Sequence, residues 1–165
     1  MNPQEKQTIL AHQRTAPIDI TALATGLGLS VYESYNLPRG ISGKISRSEQ
    51  SESASRFSIS VNAHDSFYRR RFTIAHECAH YLLHRSQIGD EVSDNGMYRS
   101  EKLTSQDEFD ANNLAADLLM PRHLVDQYVK QGNSGAASLA ELFKVSEPAM
   151  RVRLRYLYWQ DENIA

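Results

Sequence analysis

The stretch Phe72-Thr73-Ile74-Ala75-His76-Glu77-Cys78-Ala79-His80-Tyr81-Leu82-Leu83 decides how this 165-residue chain is read. On a helix, His76 and His80 lie four residues apart and project from one face on successive turns. Two imidazoles held this way can share a metal ion. Glu77 stands beside them, within reach of a proton on water that such an ion activates. Patterns this short also recur by accident, and the flanks argue against accident here. Phe72, Ile74 and Ala75 precede the motif and Tyr81, Leu82 and Leu83 follow it, so the helix should be largely buried. Bare polar groups are costly to bury unless they are paired or ligated.

His-Glu-x-x-His is the spacing used by zinc peptidases, and a catalytic zinc usually keeps three protein side chains and one open position. His84 is poorly placed to be the third. On a continuous helix its Cα stands about 12 Å along the axis from that of His76, and no glycine turn intervenes. It reads as a helix-end residue near the last carbonyls. A second helix, Ser105 to Met120 before Pro121, offers carboxylates instead. Phe109, Ala111, Leu114, Ala115, Leu118 and Leu119 recur there at helical intervals. Ser105 and Glu108 have capping-box spacing. Should Glu108 close that box, Asp110 becomes the ligand; the longer reach of a glutamate favours Glu108. Asn112, one turn on, is placed to orient a ligand histidine. Asp107, Asp117 and, failing the ligand role, Asp110 read as carboxylates that are solvated or that support a ligand from behind.

Together these two segments resemble the ImmA/IrrE metallopeptidases of bacteria and their phages. The likeness rests on Arg71-Phe72 entering the first helix, on His76 through His84, and on Asp110-Ala111-Asn112 through Leu118-Leu119-Met120-Pro121. Weaker similarity runs upstream through Pro17-Ile18-Asp19-Ile20, Ser42-Gly43-Lys44-Ile45 and Ile59-Ser60-Val61-Asn62. Two positions depart from the family pattern. Cys78 replaces a large apolar or small residue, and Asp110 stands where a glutamate is common, which leaves Glu108 as the one glutamate on that helix. The resemblance implies an α+β, zincin-like metallopeptidase holding zinc, or manganese or another divalent ion, on His76, His80 and Glu108, with Glu77 as general base. It also implies a protein substrate, an XRE-type helix-turn-helix repressor whose cleavage relieves repression of stress or mobile-element genes. The alternatives are a metal-bound antirepressor or toxin-antitoxin module that does not cut, and a DNA-binding regulator with a vestigial motif. An intact Glu77 argues against the former, because a structural metal needs no general base.

Composition agrees with a compact enzyme. The formal net charge is −2, which gives no support to a broad nucleic-acid or membrane surface. One cysteine excludes an intrachain disulfide and fits a reducing compartment. Cys78 points off the metal-facing side and reads as a buried, inert thiol. The N-terminus lacks a signal-peptide pattern and no apolar run is long enough to span a bilayer, so the cytoplasm is the expected location.

Along the chain, Gln4 to Gln13 and Ile20 to Thr25 predict helices, the second capped by Asp19. Val31–Tyr35, Gly40–Ser46 and Phe57–Asn62 have strand character and predict a small antiparallel sheet packed on the active helix. In zincins an edge strand beside the cleft holds the peptide extended, so β-augmentation is the expected docking mode, with Phe57–Val61 a candidate for that edge. Residues 47–56 read as a hairpin loop and 85–104 as a long loop or lid. Tyr98, His64 and Arg71 are rival oxyanion stabilisers, each also explicable as a packing residue. Downstream, Ser138 and Ser146 predict caps for a helix-turn-helix-like pair. Arg151, Arg153 and Arg155 do not share one face, and Glu147 lies where a reading helix would meet phosphate, so direct nucleic-acid binding is not expected. The expected division is a metallopeptidase core over residues 1–122 and a C-terminal helical lobe over residues 123–165 packed on it.

Overall fold

The computed structural model describes residues 1–47, 54–88 and 103–158. Pro3–His12 (α1) and Ile20–Gly26 (α2) lead into Ser30–Ser34 (β1), Gly43–Arg47 (β2) and Phe57–Asn62 (β3). Then come Phe67–His84 (α3), a 3₁₀ turn at Arg85–Gln87, and Ser105–Leu119 (α4). Arg122–Lys130 (α5), Ala136–Phe143 (α6) and Glu147–Tyr158 (α7) complete the order. The architecture is α+β.

Local signals fix the helix starts. Asn2 and Glu5 form a capping box at α1, and the Asp19 carboxylate accepts from Ala22 N–H at 2.9 Å at α2. Ser146 caps α7, accepting from Ala149 N–H. Ser138 does not cap its helix. α6 begins at Ala136 behind Gly135, and the Ser138 hydroxyl turns to Asn133.

The sheet is mixed, with strand order β1-β3-β2. β2 pairs antiparallel with β3, as Ile45 opposite Ile59, whereas β1 pairs parallel with it, as Val31 opposite Ile59. The sheet therefore departs from the antiparallel one that the strand pattern predicts. Alternation of apolar and polar residues reports which face a strand buries and not which way it runs. Phe57–Val61 lies in the central strand and is therefore no edge. β2 is the terminal strand on the side of the active helix, and it lies tightly on α3. A Cβ added to Gly43 would stand 2.4 Å from Thr73 Cγ2 and 2.9 Å from the Ser60 carbonyl oxygen. Glycine is what permits that approach.

α3 occupies the middle, packing against α4, α2 and the sheet strands β2 and β3. Its Ile74, Ala75, Cys78 and Leu82 are buried with Ile59 and Val61 from β3 and Leu118 and Leu119 from α4. The same apolar cluster continues into α6 and α7 through Leu139, Phe143 and Met150. Two arginines lace these parts together. Arg71 donates to the carbonyls of Ile18, Phe143 and Lys144. Arg153 pairs with Asp117 and donates to the Met120 carbonyl. The middle arginine of α7 is thus a strut and not part of a ligand surface. No helix among the described residues is long and apolar enough to cross a membrane.

Candidate active site

α3 and α4 pack face to face, and the contact brings three donor atoms together. His76 Nε2 and His80 Nε2 are 2.9 Å apart. The Glu108 carboxylate lies 3.4 Å from the first and 3.6 Å from the second. Among the described residues these three side chains form one cluster able to hold a metal ion. The two carboxylate separations match a tetrahedral zinc, whose ligands stand at about 2.0–2.1 Å and therefore roughly 3.4 Å from one another, and the two nitrogens lie closer than that. The proton positions suit it too. His76 Nδ1 meets Asn112 Oδ1 at 3.1 Å, and a proton held there leaves the Nε2 lone pair facing its partners. His80 Nδ1 meets His84 Nδ1 at 3.3 Å, with the same consequence. Two lone pairs and a carboxylate converging on one point call for a cation.

The α4 cap decides which carboxylate is available. The N-cap is Thr104 and not Ser105, and the capping box is closed by Asp107. Asp107 Oδ2 accepts from Thr104 N–H at 2.7 Å and from its hydroxyl at 2.8 Å. The Thr104 backbone bond first, then its hydroxyl, holds the Asp107 carboxyl below the usual carboxylate range, against some desolvation. Glu108 is thereby released from capping and turned toward the histidines. Asp110, the alternative, is exposed and accepts from the Gln106 side chain at 2.8 Å.

Glu77, between the two histidines, is buried against the wall of a cleft of about 260 Å³. The approach to β2 (Gly40 to Gly43) and Thr73 form one side of that cleft, with Glu108 and Asn112 also lining it. Cys78 is fully buried and faces away; burial first, then the Glu77 charge, pushes its thiol far up. Of the oxyanion candidates, Arg71 is committed to three backbone carbonyls, and burial lowers its pKa, with Asp19 opposing. His64 sits edge-on to Tyr35 and does not line the cleft. Tyr98 lies outside the described residues. His84 is more than a helix end: its ring is buried and bridges His80 to Asp107 Oδ1, 3.2 Å from its Nε2. The i, i+4 repeat from His80 to His84 is the sequence signal for that bridge, and it is hidden when His84 is considered only as a ligand.

An α+β core whose central helix carries His-Glu-x-x-His against a carboxylate-bearing helix is a zincin-like arrangement. The chain belongs to the peptidase M78 family, whose IrrE N-terminal-like domain profile matches residues 40–155. It is 29% identical over 150 residues to the radiation response metalloprotease IrrE of Deinococcus deserti, covering 86% of this chain and 52% of that protein. The chain thus spans about half the length of that curated relative. Its fold is similar to a Mycobacterium tuberculosis transcriptional regulator, with a TM-score of 0.61 at 19% identity, over 92% of this chain and 45% of the other.

Proposed function

We propose that this chain is a zinc-dependent endopeptidase. The observation that carries the reading is the convergence of His76, His80 and Glu108 beside Glu77 at the cleft wall. Two imidazole nitrogens and a carboxylate oxygen are a donor set suited to zinc, with manganese or another divalent ion as a substitute in the cell. When bound, zinc supplies a Lewis acid that polarises a carbonyl and acidifies water. The chain's own residues do the rest. Glu77 takes a proton from the attacking water on its carboxylate and delivers it to the departing amine nitrogen. His76 and His80 keep their Nε2 lone pairs inward because Asn112 and His84 engage their Nδ1 atoms.

A peptide running along β2 would extend the sheet beside the cleft, its backbone held by main-chain hydrogen bonds. The substrate in this reading is an XRE-type helix-turn-helix repressor, as the family resemblance implies, and the setting is the cytoplasm, in keeping with a lone buried thiol. In the proposed helical lobe over residues 123–165, the described helices α6 and α7 brace α3 and α4 through Arg71 and Arg153.

The test is Glu77→Gln, incubated with repressors encoded near its gene. The variant should keep its metal and its fold and stop cutting. Cleavage by Glu77→Gln at the wild-type rate would remove the base assignment. Repressor binding by wild type without cleavage would favour the antirepressor alternative.

A further inference from the structure

We propose that His84 and Asp107 are a positioning pair: together they orient the His80 ring and set the register of α4 against α3, so the metal site is assembled from a helix cap inward. This inference rests on the metal-site reading above and extends it to two residues with no direct place in the cluster.

Each proton in the chain of rings has one consistent location. His80 Nε2 faces His76 and Glu108, so as a ligand it must carry its proton on Nδ1. That proton points at His84 Nδ1, 3.3 Å away. His84 accepts there and therefore donates from Nε2, which lies 3.2 Å from Asp107 Oδ1. Asp107 spends its other oxygen on the Thr104 amide and hydroxyl, so neither carboxylate oxygen is idle. Both rings are buried, with 4% and 7% of the residue surface exposed for His80 and His84. At that depth water is a poor substitute for either partner.

Asp107 also immediately precedes Glu108. Anchoring Asp107 on α3 through His84, while the same carboxylate caps α4, fixes where the first turn of α4 meets the histidine helix. The next residue then presents its carboxylate to His76 and His80. One aspartate serves both the start of a helix and the aim of its neighbour.

The experiment measures zinc affinity by competition with a chromophoric chelator, alongside melting of the metal-free chain. His84→Leu keeps most of the ring's volume without an acceptor, whereas His84→Asn places an amide oxygen near the Nδ1 position and still accepts from His80. His84→Leu is expected to lose about 10–100-fold in zinc affinity, the range for removing a ligand's hydrogen-bond partner. His84→Asn is expected to recover most of that loss even if it melts no higher. Equal affinities in the two variants would overturn the pair. If His84→Leu does not fold, Asp107→Ala carries the test against Thr104→Ala, which weakens the same cap without touching His84. Asp107→Ala should bind zinc more weakly by several-fold, and equal affinity there overturns the proposal. A wild-type chain that takes up no zinc overturns the metal site and the pair with it; wild-type uptake with unaltered variants overturns the pair alone.

Discussion

Replacing Gly43 with alanine drives a methyl group into the helix that carries both histidines. The added Cβ would lie 2.4 Å from Thr73 Cγ2 and 2.9 Å from the Ser60 carbonyl oxygen, where ordinary contact begins at 3.4 Å. The worse clash, with the short β-branched Thr73 side chain of α3, falls about 1 Å inside that limit. The second obstacle is the backbone of β3, so β2 must shift against both neighbours rather than a rotamer give way. Overpacking of this kind costs about 1–3 kcal/mol. For a chain of this size that corresponds to a melting temperature lower by roughly 2–12 °C. The displaced strand is also the cleft wall at which the substrate should dock, and a 1 Å misplacement there can cost about 100-fold in rate. Zinc affinity should hardly change, because His76, His80 and Glu108 stand on α3 and α4. Thr73→Ser deletes the Cγ2 atom in the path of the new methyl and should restore part of the stability in the double variant. Thermal melts, chelator competition and repressor cleavage read these three effects separately. If Gly43→Ala melts and cuts as the wild type does, the close seating of β2 on α3 does not matter to fold or function.

Three further outcomes are expected. Glu108→Ala should lose zinc affinity heavily while Asp110→Ala, exposed and tied to Gln106, stays near wild type; equal losses in a chelator titration would undo the choice of ligand. Arg71→Leu strands three backbone carbonyls and should destabilise by about 2 kcal/mol or more, with zinc affinity unchanged; loss of cleavage at full stability would return Arg71 to an oxyanion role. Burial tends to raise the Glu5 pKa, but the Asn2 N–H and the Arg85 guanidinium outweigh it and leave the carboxyl below its ordinary value. The stability it adds is therefore present above the usual glutamate pKa of about 4.3 and is lost as pH falls through the lower folded value. Acid unfolding curves of Glu5→Gln should be flatter than wild type in that window, and parallel curves would contradict the assignment.

Much of this arrangement is legible in the residues, for identifiable reasons. β3 runs over Phe57–Asn62, as the apolar residues at every second position, Phe57, Ile59 and Val61, predict, although Ser58 on the other face is buried too. α3 follows from apolar flanks too long for a strand, and Asp19 announces α2 through a capping preference that acts within three residues. What escapes depends on longer range or finer register. Strand direction is set by how the chain crosses from β1 to β2 at the far edge and returns to insert β3 between them, which no local pattern encodes. The sequence places the α4 cap one residue late because Thr104 and Ser105 are both capping types, each followed three positions later by an acid. That single step settles Asp107, which the sequence leaves as either solvated or supporting, on His84, and it releases Glu108. The roles of Arg71 and Arg153 stay hidden because an arginine bonded to distant carbonyls leaves no signature in sequence.

The most direct measurement is anomalous diffraction at the zinc edge from crystals of the full chain purified without chelator. One anomalous peak per chain is expected, within bonding distance of His76 Nε2, His80 Nε2 and a Glu108 oxygen. Crystals grown with excess zinc that show no peak there, or a peak ligated by other residues, would contradict the account.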